Sequence, residues 1–330
     1  MTTEFGEFHD ELRAVAGELL AKDRTIDWPR LVDAGWAGLE VPDRCGGAGA
    51  TFAETAVILD QIGRAGAASG YLGGAVLPVG VLTLLTQDEH TAALLSALAD
   101  GSIRFAVVTD GFSYNAGTIS GHAQFVFDAA AADTLLVLVE GGVAVIPANA
   151  VTVAATPVVD ETRSLATVSA DSVRAEAMVR FAHPDVHATI RQRGEVAIAC
   201  DSLGIAEQML TATVDYVKVR HQFGRPIGSF QAVKHACADM LVAIEVSRQL
   251  VTDAVARVAD DGDAETAAAM AKAYACSAAV EVAGKAMQLH GGIGYTWESG
   301  IHTYLKRAAL NRSLFGSPAA QRKKIARRYL

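Results

Sequence analysis

Residues Asp215–Met240 read DYVKVRHQFGRPIGSFQAVKHACADM, and the way this stretch breaks decides how the chain folds. Apolar residues recur at helical spacing from Val186 to Val219 and again from Gln231 to Asp260. Between those runs Gly224, Pro226 and Gly228 interrupt the period, so the stretch is a short loop joining two long helices. The second helix is expected to start around Ser229, whose hydroxyl is a candidate N-cap. Further helical runs cover Asp263–His290 and Leu305–Arg312. Helices this long, joined by short loops, fit an antiparallel bundle, so residues 186–330 are expected to form a C-terminal helical bundle.

On the amino-terminal side the composition changes. Val, Ile, Thr and Phe cluster in short runs at Arg104–Val108, Gln124–Phe127, Thr134–Val139 and Val143–Ile146, separated by Gly, Asn and Asp, which predicts antiparallel strands over residues 101–185. Before them, Phe8–Leu20, Trp28–Ala34, Phe52–Gly63 and Leu77–Leu98 read as helices, with the Pro42–Gly49 segment as a loop, giving a helical domain over residues 1–100. Helices, then strands, then helices in one chain suggest an α+β fold rather than alternating β/α. No GxGxxG loop follows a strand, so a Rossmann domain is not supported.

The chain has 330 residues, 51% hydrophobic and 20% charged, which describes an ordered globular protein with a substantial core. Its formal charge of -9 opposes a surface that tracks phosphates, so nucleic acid is not an expected partner. Cys45, Cys200, Cys237 and Cys276 lie far apart without CxxC spacing, which fits free thiols in a reducing cytoplasm. The amino terminus lacks the basic start and apolar run of a signal peptide, and apolar stretches such as Thr134–Ile146 are too short to span a bilayer. No His, Cys or carboxylate pattern has zinc-site spacing, so His221, His235, His290 and His302 read as structural or surface residues and no metal is expected.

Two segments carry chemistry. The loop presents Arg220, His221, Gln222 and Phe223 beside a helix start, where a guanidinium and free backbone amides suit a pyrophosphate. Taken alone, it reads rather as a helix-helix turn whose Arg pairs with a surface carboxylate. Further on, Gln288–Gly300 reads QLHGGIGYTWESG, in which Gly291, Gly292 and Gly294 end a long helix and allow close backbone approach. Alone, it is a C-cap and a turn.

Together, RHQFGRPIGSFQAVKHACADM and QLHGGIGYTWE resemble the acyl-CoA dehydrogenase family closely, and AGWAGLEVPDRCGGAGATFAE at Ala34–Glu54 resembles its first helical domain. The resemblance implies a helical domain, a β-barrel-like domain and a four-helix bundle, in the order read above. It implies FAD at a subunit interface, its diphosphate and adenosine gripped by Arg220, Gln222, Phe223, Ile227 and Phe230 and contacted by Gln288, Gly291 and Gly292. An acyl-CoA substrate and electron-transfer flavoprotein as acceptor follow from the same resemblance.

Three departures stand out. The family's Thr-Glu-Pro…Gly-Ser string is reduced to TDGFSYN at Thr109–Asn115. FVFD at Phe125–Asp128 puts Phe127 where a hydroxyl is expected, and a phenyl ring cannot donate that hydrogen bond. Phe315 stands where most members have the glutamate base that removes the α-proton, so no catalytic residue is assigned. Members with a base on an earlier helix place it at the position of Gly194; neighbouring Glu195 is turned away by about 100° and reads as a solvated surface acid. The resemblance then points to the poorly catalytic subunit of a heteromeric dehydrogenase, like bacterial enzymes built from two unlike subunits that act on steroid side-chain thioesters, paired with a catalytic paralogue. The alternatives are a self-sufficient homotetramer with a relocated base and a flavin-free scaffold.

Overall fold

The computed structural model describes residues 2–260 and 262–328, and side chains from residue 9 onward. The chain divides into two compact units: residues 1–24, 56–67 and 195–330 form one, and residues 25–55 and 68–194 the other.

In the second unit, α2 (Trp28–Asp33) starts where the Asp27 carboxylate accepts from the Arg30 amide at 3.1 Å. A parallel pair, β1 (Thr25–Ile26) and β2 (Ala68–Ser69), lies nearby in the chain, with α3 (Phe52–Ala65) between them in sequence. The helix expected over Leu77–Leu98 is two. A π-helical turn at Leu72–Val76 leads into α4 (Leu77–Thr83), and α5 (Glu89–Ala99) starts afresh under an Asp88 N-cap that accepts from Thr91 N at 2.8 Å. The break forms because Thr86 N donates to Arg180 O at 2.9 Å instead of continuing the helix.

Eight strands follow: β3 (Phe105–Val108), β4 (Phe112–Asn115), β5 (Thr118–Phe127), β6 (Thr134–Val139), β7 (Gly142–Pro147), β8 (Thr152–Ala155), β9 (Leu165–Arg174) and β10 (Ala177–Arg180). They make two four-stranded sheets, ordered β10-β7-β6-β3 and β4-β5-β9-β8. Val108, Val137, Ala144 and Ile146 of the first sheet and Ile119, Val126, Ala166 and Val168 of the second share one buried cluster. The strands were expected to be antiparallel, but β3 and β6 pair in parallel, Phe105 opposite Thr134. The chain leaves the first sheet after β3, builds the β4–β5 hairpin in the other, and returns in the same direction.

The first unit is helical: α1 (Thr2–Lys22), the end of α3, most of α6 (Val186–Val219), α7 (Gln231–Ala259), α8 (Glu265–His290), α9 (Ile301–Ser313) and α10 (Pro318–Arg327). Ten buried alanines between Ala267 and Ala286 line α8, letting α7, α9 and α10 approach it closely. At the α3–α6 crossing, an added Cβ on Gly63 would lie 2.0 Å from Asp201 O, and one on Gly204 2.0 Å from Asp60 O, so only glycine permits this contact. Arg307, 1% exposed, locks α9 to α6 through the Asp201 carboxylate and donates to Ala67 O at 2.7 Å, while Asn311 Nδ2 donates to the same carboxylate at 2.6 Å. Removing one partner from such a buried pair costs about 3–5 kcal/mol.

Candidate functional site

The loop after α6 is a tight hairpin. Strands β11 (His221–Gln222) and β12 (Arg225–Pro226) pair, and the two residues between them, Phe223 (φ 53°) and Gly224 (φ 77°), are both left-handed, as a type I′ turn requires. Ile227 N donates to Arg220 O at 2.8 Å and closes the hairpin at its base. Phe230 meets Phe223 edge-on at 6.1 Å, and the Arg225 guanidinium lies 4.0 Å over the Phe230 ring. Ser229 does not cap α7. The helix starts at Gln231 with Phe230 at the N-cap, Ser229 sits in a preceding 3-10 turn, and its Oγ has no partner among the described residues. The first amides of α7 are therefore without a side-chain acceptor.

Arg220 and Gln222 are exposed, Ile227 is half-buried, and Phe223 is 91% exposed. Among the described residues no carboxylate pairs with the Arg220 guanidinium, so the simple salt-bridged turn is not what forms. From Tyr216 to Ala238 the sequence holds Lys218, Arg220, Arg225 and Lys234 and no acid, a cationic stretch within a chain of net charge -9. Val214, Val217, Val233 and Cys237, with Lys218 and Lys234, line a largely apolar cavity of about 400 Å³ beside the hairpin.

The second segment begins where α8 ends at His290. Gly291 takes φ 61° and ψ −142°, a conformation close to glycine-only, and Gly294 is fixed by packing, since a Cβ there would lie 2.4 Å from Met287 O. At Gly291 and Gly292 a Cβ would meet nothing within 4 Å, so the Cβ side of both faces open space, while Gly291 N donates to Gln288 O. Gln288, one turn earlier, is exposed. The two segments leave from the same end of the helical unit: Tyr216, in the last turn of α6, stacks on His290 with ring centroids 4.4 Å apart and planes 21° apart. Arg220, Gln222, Phe223, Ile227 and Phe230 are thus gathered in one hairpin, and Gln288, Gly291 and Gly292 in a turn tied to the helix before it. Neither Tyr216 nor the role of His290 stands out in the sequence, because an aromatic at helical spacing reads as ordinary packing.

The opposite holds where a base would stand. Phe315 (φ 54°) and Gly316 (φ 100°) form the turn between α9 and α10. That turn is pinned: buried Lys272 donates to Arg312 O and Gly316 O at 3.3 Å each, and Gln321 Nε2 donates to Phe315 O at 2.9 Å. Glu195 is not a solvated surface acid. It is 0% exposed, and its Oε1 accepts from Gln321 Nε2 at 2.9 Å and from the Lys324 ammonium. The sequence reading missed this because its partners lie on α10, a cationic helix whose register with α6 no local pattern reveals.

In the β unit, Phe127 is 6% exposed and packs inward, while Phe125, left-handed at φ 58°, is 49% exposed at an irregularity in β5. Thr109–Asn115 makes the exposed turn and strand after β3, where Asp110 stands 3.7 Å from Arg191. The four cysteines are free thiols, and no cluster of metal-binding side chains occurs among the described residues. No described helix is long and apolar enough to cross a membrane.

Known proteins resemble the chain in sequence and in fold. Residues 190–330 match the acyl-CoA dehydrogenase C-terminal domain and residues 4–102 its N-terminal domain. Acyl-CoA dehydrogenase IpdE2 of Mycobacterium tuberculosis (strain ATCC 25618 / H37Rv) is 34% identical over 305 residues, covering 91% of this chain and 86% of that protein. Among solved structures, a chain of the ChsE4-ChsE5 complex from Mycobacterium tuberculosis superposes with a TM-score of 0.89 at 25% identity over 97% of this chain and 96% of that one. A chain of the Tcur3481-Tcur3483 steroid ACAD, a G363A variant, superposes with a TM-score of 0.88 at 26% identity over 98% and 97% of the two chains.

Proposed function

The chain belongs to the acyl-CoA dehydrogenase family, and we propose that it works as the poorly catalytic subunit of a heteromeric enzyme, lending the adenosine-diphosphate half of an FAD site to a catalytic paralogue. The observation that carries this reading is the contrast between its two ends. Among the described residues no carboxylate pairs with Arg220, Gln288 is exposed and the Cβ side of Gly291 and Gly292 is open, which fits an incoming diphosphate. The base position holds Phe315, and the nearest relocated acid, Glu195, is consumed by Lys324 and Gln321. A carboxylate held by an ammonium and an amide in the interior is poorly placed to take a proton from substrate, which disfavours a self-sufficient homotetramer that relies on Glu195.

Bound here, FAD supplies a hydride acceptor for the β-carbon of an acyl-CoA thioester. This chain's part is to bind and orient. Arg220 would offer a bidentate fork to the diphosphate, the uncapped first turn of α7 would add amide donors, and Phe223 and Phe230 would contact the adenosine. The base and the donors around the reactive ring come from the partner. Leu241, Val242 and Val246 on α7 and Met270 and Tyr274 on α8 are exposed apolar side chains on helix faces that a partner's helices would cover. Likeness to a chain of a paired complex and to a chain of a steroid ACAD favours a bulky, steroid-type acyl group, and membership of the family carries the expectation of electron-transfer flavoprotein as the acceptor.

Coexpression with a paralogue that carries a base tests the proposal. A yellow complex of both chains that oxidises an acyl-CoA, alongside inactive preparations of this chain alone, is expected. Stable, yellow, active homo-oligomers of this chain would falsify it.

A further inference from the structure

A diphosphate contact at the Gly291–Gly292 turn needs its peptides held in one orientation; Gly291 N already donates to Gln288 O, but the two glycines have no side chains of their own with which to fix the turn. We infer that Tyr216 is the positioning residue that holds them, acting through the peptide bond between His290 and Gly291. The Tyr216 hydroxyl donates to His290 O at 3.3 Å, and that carbonyl belongs to the peptide plane whose rotation sets φ of Gly291. The ring beneath is fixed too. His290 is 9% exposed and its Nδ1 lies 2.7 Å from Ala286 O, so the proton sits on Nδ1 and the imidazole cannot swing away from the Tyr216 face. At its other end Tyr216 belongs to the hairpin's root, because its carbonyl accepts from Arg220 N at 2.9 Å. One side chain therefore sets the glycine turn against the backbone that carries Arg220, an arrangement neither helix imposes alone.

This inference rests on assigning both segments to one FAD diphosphate. Tyr216→Phe removes the hydroxyl and keeps the stack; Tyr216→Leu removes both. Hydrogen exchange read at the Gly291, Gly292 and Ile293 amides of the full chain is expected to quicken in Tyr216→Phe and more in Tyr216→Leu, with the melting temperature of Tyr216→Phe close to that of the parent. FAD titrated onto the flavin-stripped oligomer that the chain forms with its coexpressed paralogue is expected to bind roughly threefold more weakly in Tyr216→Phe and roughly tenfold more weakly in Tyr216→Leu. Arg220→Ala serves as the control. If it weakens FAD while Tyr216→Phe and Tyr216→Leu change neither exchange nor affinity, the positioning role is wrong and the cofactor site stands. If Arg220→Ala leaves FAD binding unchanged, or the parent oligomer binds none, the site assignment falls and the positioning role falls with it.

Discussion

Arg220 leaves the last turn of α6 with no carboxylate paired to it among the described residues and with three other cations in its short, acid-free stretch, so its charge is available to a ligand. Its identity in sequence was enough to suggest this; the absence of a salt bridge was not legible, because it depends on which carboxylates the bundle brings near. A lysine would keep the charge and lose the planar fork, so Arg220→Lys is expected to raise the FAD dissociation constant of the assembled protein about tenfold with little change in melting temperature. Equal affinity for both residues, measured by flavin fluorescence, would show that no bidentate contact exists. Glu195 makes the opposite case. With Lys324 as its ammonium partner and no exposure of its own, Glu195→Gln leaves that ammonium half-buried and uncompensated. A loss of roughly 2–4 kcal/mol by chemical denaturation is expected, with FAD retained and the turnover of folded complex unaltered. A variant of parental stability that has lost turnover would instead make Glu195 the base.

At the scale of elements, the long helices were legible because their apolar period is sustained for many turns, and α6 spans the expected Val186–Val219. What the sequence could not show were features settled by partners distant in the chain. The break between α4 and α5 depends on Arg180 capturing Thr86 N, and the parallel β3–β6 pair depends on a detour through the second sheet. The hairpin lies between these cases: Gly224 announces a turn, yet Phe223 at φ 53° is an unexpected first residue for a type I′ turn, where asparagine is far more comfortable. A strained residue kept at an exposed position points to use rather than folding. Phe223→Asn is expected to raise stability by about 0.5–1 kcal/mol and to weaken FAD binding several-fold, since the ring that meets Phe230 is gone. Both quantities come from one preparation, by thermal melting and flavin titration. A variant that is less stable and binds FAD normally would mean that the ring serves packing alone.

For the molecule as a whole, composition identified a globular chain and a net charge of -9, but the acids that govern its response to pH are two interior ones. Burial raises the Asp60 carboxyl from 3.8 to about 7, with Glu207 adding to the rise and Arg64 opposing it. Burial likewise raises Asp128 in the β unit to about 6 against Arg104 and Arg163. In sequence Asp60 is merely one polar position of α3; only the crossing enforced by Gly63 and Gly204 puts it inside. Because the folded protein holds this proton more tightly than the unfolded chain, Asp60 contributes most favourably below about pH 4. That contribution shrinks as pH rises from about 4 through 7, reaching a penalty on the order of a few kcal/mol above it. The melting temperature should therefore fall between pH 5 and pH 8. Asparagine keeps an oxygen for the Gln61 amide, which donates to Asp60 Oδ2 at 2.9 Å, and has no proton to lose. Asp60→Asn should flatten the pH profile and melt above the parent at pH 8, while approaching it at pH 5. If the variant melts below the parent at pH 8, the ionised carboxylate is stabilising there and burial is not what controls its titration.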